Sequence, residues 1–349
     1  MAIKYLSGKR LQGTAAERTA LNISSPPATS WKELGRTTLT GTSSTIEVTG
    51  FTAKDNIMIL GHQICNTDHH TTYSTGTGSY SGNYSDRRSE NGGSEATTIN
   101  RTTNGIISDA LTKDTFIVGE MVNITGQEKQ VNWDMVGNNS SGVSNAPDRY
   151  ETVGKFTGSA QINRMKFNNS SSVNNEIGSE VVILGCDNDE ADSGTNFWQE
   201  LADVSAGGSS TTLTTGTITD KRYLYFRFWC NNFVGGKMLF NSDSGSNYRR
   251  RYSANGNNDV VNNATSGFGL YYDLAPAMTE GYIINKSDKE KLVIFNTSET
   301  NNQSGANNTP YRMEGVVKWA NTSDSITEIS FTKNSNFSAG NRIQVWGSD

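Results

Sequence analysis

Apolar positions along this chain alternate over short stretches and nowhere sustain the i, i+3, i+4, i+7 spacing of an amphipathic helix. Thr45-Ile46-Glu47-Val48-Thr49 has period two, with Ile46 and Val48 on one face. Asn56-Ile57-Met58-Ile59-Leu60-Gly61 is a continuous apolar run, the pattern of a strand buried on both faces. Tyr223-Leu224-Tyr225-Phe226-Arg227-Phe228-Trp229 is short and aromatic, which favours strand over helix. Further strands are expected at Phe116–Asn123, Gly281–Asn285, Ile162–Phe167 and Ile326–Phe331, separated by Gly, Asn and Ser turns.

The same landmarks recur in the same order in both halves. Trp-x-Glu-Leu stands at Trp31 and Trp198, an offset of 198 − 31 = 167. The frame Asn-Tyr-x-x-Arg-x-Ser-x-Asn-Gly covers 83–92 and 247–256, an offset of 256 − 92 = 164. Glu128-Lys129 matches Glu290-Lys291, an offset of 290 − 128 = 162. An ordered internal repeat outranks other signals of architecture. The expectation is an all-β chain of two tandem jelly-roll-like β-sandwich modules from an internal duplication, with roughly eight strands each. The boundaries are an N-terminal arm at 1–29, module 1 at 30–187, an acidic linker at 188–196 and module 2 at 197–349.

Between these landmarks the copies diverge. His69 to Ser79 reads as a long polar loop, replaced in module 2 by the shorter 231–236. In the arm, Leu11 to Leu21 has one helical segment's worth of signal, with Thr14 as cap and Glu17 three residues on. Pro26-Pro27 ends it. The arm is either a plain leader or a segment that docks on a neighbouring subunit.

Composition narrows the class. Apolar residues make up 34%, and adding the 35 glycines of 349 residues brings the total to about 44%, enough for a core in each half. A net charge of −5 argues against nonspecific nucleic-acid binding, which needs cations to displace phosphate counterions. The run Arg249-Arg250-Arg251 reads as a solvated strand face. Cys65, Cys186 and Cys230 are odd in number and widely spaced, neither a disulfide framework nor a zinc site. No apolar run approaches membrane-spanning length, and Met1–Leu6 lacks the apolar core of a signal peptide. The expectation is a soluble product made in a cytoplasm, without membrane or nucleic-acid partners.

Candidate chemistry is sparse. The Asn-Gly that closes the repeated frame is the strongest tight-turn signal. Alternation sets Tyr84, Asp86 and Arg88 opposite Arg87, Ser89 and Asn91, and Tyr248, Arg250 and Tyr252 opposite Arg251, Ser253 and Asn255. The frame is either a hairpin strand whose arginines stack on rings or pair with carboxylates, or a contact strand using Tyr84, Arg87, Asn91, Tyr248, Arg251 and Asn255. Asp187, Asp189, Glu190 and Asp192 offer carboxylates for Ca²⁺ without the spacing of a calcium loop. His69-His70 diverge on a strand, and His62 is the only other histidine. No nucleophile elbow, zinc-helix or phosphate-loop motif is present. No cofactor, metal or enzymatic activity is expected. Tyr73, Tyr80 and Tyr252, with Tyr84 and Tyr248, are rings on which a sugar would stack.

The opening Ile3-Lys4-Tyr5-Leu6-Ser7-Gly8-Lys9-Arg10-Leu11-Gln12-Gly13-Thr14, the start Trp31 to Gly41, and the closing Ile326–Ile329 and Phe337–Gly347 resemble virion proteins of marine tailed phages and archaeal viruses. The resemblance implies β-sandwich modules behind a short leader, in a structural or host-binding part of a virus particle: capsid, decoration or tail fibre. It implies a homo-oligomer, trimeric or higher, contacts with other virion proteins, and localisation to a virion assembled in the host cytoplasm. The alternative is a surface module that binds a host glycan or receptor.

Overall fold

The computed structural model describes residues 31–67, 69–77, 79–80, 82–111, 113–169, 173–187, 196–270, 276–300 and 309–349. The arm at 1–29 and nearly all of the linker, with Asp189, Glu190 and Asp192, lie outside the described residues, as does the expected helical segment. Among the described residues there is no helix.

Module 1 contains β1 (Lys32–Thr38), β2 (Thr45–Thr49), β3 (Asn56–Gln63), β4 (His69–Thr77), β5 (Ser79–Tyr80), β6 (Tyr84–Glu90), β7 (Ala96–Arg101), β8 (Gly105–Leu111), β9 (Thr115–Val122), β10 (Lys129–Gly137), β11 (Asp148–Phe156), β12 (Arg164–Asn169) and β13 (Glu180–Cys186). Module 2 contains β14 (Gln199–Ser205), β15 (Thr212–Thr214), β16 (Tyr223–Cys230), β17 (Lys237–Phe240), β18 (Tyr248–Ala254), β19 (Val260–Val261), β20 (Ala277–Ile284), β21 (Lys291–Glu299), β22 (Tyr311–Trp319), β23 (Ile329–Thr332) and β24 (Arg342–Ser348). The expectation of eight strands per module was too low, because strands made of Thr, Ser and Asn lack an apolar signature.

Each module is an antiparallel, jelly-roll-like sandwich of one large and one small sheet. The large sheets run β1-β13-β3-β9-β10-β11-β6-β7 and β14-β24-β16-β20-β21-β22-β18-β19, position for position the same. The small sheets run β2-β12-β4-β5, with β8 on β4, and β15-β23-β17. The duplication therefore holds at the level of strand order.

It also holds at single side chains. The Leu of each Trp-x-Glu-Leu falls in a β-bulge, between Glu33 and Gly35 and between Glu200 and Ala202, and leans on its own module's core. Tyr84 and Tyr248 are fully buried, and each hydroxyl donates to a carbonyl of the facing sheet, at Thr75 (3.2 Å) and Phe240 (3.3 Å). Asn91-Gly92 and Asn255-Gly256 all have positive φ, at 51°, 67°, 54° and 73°. Each pair is closed by an i to i+3 bond, Gly93 N–H to Glu90 O and Asn257 N–H to Ala254 O, which is the geometry of a type I′ turn. The two asparagine side chains accept the N–H of Arg149 and Arg312, fixing the neighbouring strand. Lys129 and Lys291 bury their stems and donate to three carbonyls each, gathering the turns at 124–127 and 287–289 with those at Ser159 and Asn321.

The stretch read as a polar loop at 69–79 is the buried strand β4. Several of its hydroxyls are satisfied internally: Thr71 donates to Gln63 Oε1 (2.7 Å) and Ser74 to Thr103 O (2.9 Å), which offsets much of the cost of burial, while Thr75 Oγ1 and Tyr73 Oη are buried without a partner among the described residues. His69 is buried and His70 exposed, as alternation requires.

Candidate functional site

The two large sheets meet face to face. Met58, Leu60, Phe116, Val118, Val136, Val182 and Leu184 form one apolar cluster with Tyr223, Tyr225, Ile284, Leu292, Ile294, Val316 and Trp346. The chain is thus four layers deep: small sheet, large sheet, large sheet, small sheet. Both faces of β3 are covered, one by its own core and one by the other module.

Charged groups rim this seam. Arg149 Nη2 and Nε reach Asp259 Oδ1 and Oδ2 at 2.6 and 3.3 Å, with both side chains nearly inaccessible. Tyr223 Oη donates to Glu180 Oε1 at 2.8 Å, beside Arg222. Lys318 donates across the seam to Asn138 O and Ser140 O, and Glu290 accepts the Gly142 N–H. Arg249 donates to Val143 O (3.0 Å) and Arg251 to Pro147 O (2.8 Å). The triple-arginine run is therefore not a solvated face: alternation sends Arg249 and Arg251 into the 138–148 loop of module 1 and turns Arg250 the other way.

Two groups at the seam, half-buried Asp134 and fully buried His62, have displaced titrations. Burial, reinforced by Glu151 and Glu120 and opposed by Arg149, pushes the Asp134 carboxyl up to about 7. Asp134, Arg149, Glu151, Asn296 and Glu314 line a cavity of about 10 Å³, room for one water. His62 is buried with neither ring nitrogen hydrogen-bonded. Its pKa is held well below the usual value by burial first, and then by Arg222, Lys286 and Lys289.

A larger opening lies in module 2. In module 1, β8 zips onto β4. In module 2 the described part of the corresponding stretch, up to Leu270, makes the isolated bridge Met238–Phe268, and Thr265 bridges to Tyr248. A groove of about 470 Å³ is left between β17, the start of β18 and residues 262–269. Gly267 adopts φ 108°, and a Cβ there would stand 2.5 Å from Leu239, so only glycine keeps this wall close to β17. Arg250 floors the groove. Its guanidinium lies 4.1 Å from the Tyr252 ring and donates to Asn262 Oδ1 (2.8 and 3.1 Å) and to Gly269 O. Lys237 Nζ donates to Ser266 Oγ at 2.9 Å. The groove thus presents hydroxyl, amide and ammonium groups, a surface suited to a polar ligand.

The sequence-derived candidates scatter. Tyr73 is fully buried, edge-on to Tyr84 with centroids 5.5 Å apart, so it cannot meet a sugar. Tyr252 is buried beneath Arg250, and Tyr84 and Tyr248 are core residues rather than contact residues. Tyr80 is half-buried, bonded to Glu47 (2.6 Å) and flanked by Arg164 and Lys166. Arg87 is exposed and pairs with Glu95, Asn91 and Asn255 shape turns, and Arg251 serves the seam. Asp187 accepts from Lys54 Nζ (2.8 Å) and the Asp55 N–H (3.0 Å), so its carboxylate is already used. Among the described residues no three His, Cys, Asp or Glu side chains are placed to hold a metal ion. The groove residues Lys237, Asn262, Thr265 and Ser266 had one indirect sequence signal, the shortened 231–236 connection.

No family model matches this chain, and no curated protein matches it. Among solved structures, the mouse laminin α1 chain domains LG4-5 align at 11% identity over 88% of each chain, with a TM-score of 0.20. Human GIVD cytosolic phospholipase A2 aligns at 6% identity over 77% of this chain and 33% of its own, with a TM-score of 0.11. Likenesses of that size carry no argument about fold or function.

Proposed function

We propose that this chain is a self-assembling structural component of a virus particle, a capsid, decoration or fibre part, that performs no catalytic step. The observation that carries this reading is the seam. Two sandwiches are joined by a continuous apolar layer and by charge pairs at its rim, and the cavity beside Asp134 at that seam has room for a single water. A block of this kind suits repetitive assembly, in which symmetry reuses the same patches. The leader and closing-strand resemblance supplies the viral context. Light scattering of the purified full-length protein tests the reading: a trimer or larger closed assembly is expected, and a stable monomer at high concentration would overturn it.

The module 2 groove favours a second reading, recognition of a host surface glycan. Full-length protein is then expected to be retained saturably on a column of host polysaccharide. Lys237→Ala would lower retention at least tenfold if the groove is the site. Equal retention of both proteins, or none of either, would remove the groove from consideration.

A further inference from the structure

Three polar side chains meet where the 138–148 loop of module 1 caps module 2. The Lys318 side chain, near the end of β22, has no exposure, and that of Glu290, just before β21, is 5% exposed. Asn138, just after β10, is 4% exposed. Lys318 Nζ stands 3.8 Å from Glu290 Oε2, which lies 3.5 Å from Asn138 Nδ2. Nζ also donates to Asn138 O at 2.8 Å, so it already touches the main chain of that asparagine. Asn138 Oδ1 is buried and accepts no hydrogen bond among the described residues. An amide oxygen left empty in this way calls for a reason.

The duplication shows what the cap changes. Glu128 and Lys155 are the equivalent pair in module 1, 3.1 Å apart, and their side chains are 51% and 44% exposed. That pair stands in water. In module 2 the loop shuts water out. Burial lowers the Lys318 amine and raises the Glu290 carboxyl, each against the pull of the other. Both shifts favour passing the proton from the amine to the carboxyl. A neutral amine has two N–H groups, which the carbonyls of Asn138 and Ser140 accept. Its lone pair is then free, and a desolvated lysine in that state is a nucleophile.

We propose that Lys318 and Asn138 join in an isopeptide bond, formed once by the folded chain with Glu290 as proton carrier, which ties module 1 covalently to module 2. Half a turn of the Asn138 amide about Cβ–Cγ puts the empty Oδ1 against Glu290, whose acid proton then polarises the carbonyl. Lys318 Nζ attacks Cγ, the new C–N bond forms, and the carbonyl electron pair moves to Oδ1. Glu290 takes a proton from the attacking nitrogen and returns one to Nδ2. As the carbonyl re-forms, the Cγ–Nδ2 bond breaks and ammonia leaves. One amine and one primary amide give one substituted amide and one ammonia, with no oxidant or other co-reactant. The enclosure keeps water from competing for Cγ. The event happens once per chain, so it fits a structural part that turns over no substrate. The linked residues lie 180 apart, and closing so long a loop removes much of the freedom of the unfolded chain.

Mass spectrometry of the purified full-length protein, intact and after proteolysis, tests this. The wild type is expected to weigh one ammonia less than its sequence, with the peptides holding Asn138 and Lys318 recovered as one branched species. Glu290→Gln, Asn138→Ala and Lys318→Arg should each keep the full mass of their sequences and release the two peptides separately. A wild type of full sequence mass with separate peptides would overturn the proposal. So would a loss of ammonia without the branched peptide, which is the mark of a succinimide at an asparagine. A bond that still forms in Glu290→Gln would remove Glu290 from the role of proton carrier. The wild-type result decides the bond even if a variant fails to fold. None of these outcomes depends on the virion reading, which light scattering tests separately.

Discussion

Substituting Arg149 with alanine is expected to destabilise the protein by about 3–5 kcal/mol, the usual effect of stranding one partner of a buried ion pair. Asp259 would be left with a side chain only 3% exposed and no guanidinium to meet it. Glu151 and Glu314 would lose the same cation. The repeat supplies the control. Arg312 occupies the equivalent place on β22, held by the same asparagine cap, but it is 65% exposed and among the described residues pairs only with Glu314. Arg312→Ala is therefore expected to cost at most about 1 kcal/mol, as exposed pairs do. Replacing Arg149 and Asp259 together by apolar residues of similar volume should recover most of the loss, because the penalty comes from the unpaired charge. The measurement is the denaturant midpoint of the four proteins. Equal shifts for the two arginine variants would show that the seam pair has no special standing.

That contrast indicates what could be read without coordinates. The duplication and the strand character of β3, β9, β16 and β20 were legible, since apolar runs with β-branched and aromatic residues have few other uses. The unbroken Ile57–Leu60 run even implied cover on both faces, although not that the second cover would be the other copy. Other features left no local trace. β4 looks like a loop because its buried Thr71 and Ser74 are satisfied by Gln63 and Thr103, which lie elsewhere in the chain. The pair Arg149–Asp259 joins residues 110 apart, so no spacing rule finds it. The groove is lined mainly by Gly, Ser, Thr, Asn and Ala over 262–269 with Lys237 and Arg250, and such a polar stretch has no motif. Tyrosines chosen as glycan contacts turned out to be core residues for a related reason. A Tyr in a polar context looks exposed, yet Tyr73, Tyr84 and Tyr248 bury their rings at positions where neighbouring Ser, Thr and Asn mask the pattern.

The second large effect concerns pH and again uses the duplication. Asp134 on β10 pairs in register with Glu151, while its counterpart Asn296 on β21 pairs with Glu314. One copy has thus kept a carboxyl where the other has an amide. With the Asp134 carboxyl pushed up to about 7, the folded protein holds a proton that the unfolded chain releases near pH 4. Between those values the folded state binds more protons than the unfolded state, so stability falls as pH rises through the window. Three pH units correspond to on the order of 4 kcal/mol if Asp134 alone carries the titration, and to less where Glu151 and Glu120 share it. Asp134→Asn should therefore match the wild type at pH 4 and unfold at a higher denaturant concentration at pH 8. Glu299, also pushed up to about 7 by burial, gives a slope of the same sign in both proteins, so the difference between the curves isolates Asp134. His62 acts in the opposite sense. Its depressed pKa means the unfolded chain takes up the proton first as pH falls below about 6.5, so stability is lost on the acid side, in both proteins alike. Midpoints measured every half unit from pH 4 to 8.5 decide the matter. Parallel curves for wild type and Asp134→Asn would mean that the carboxyl ionises freely and that the seam is wetter around Asp134 than its enclosure by Glu151, Asn296 and Glu314 implies.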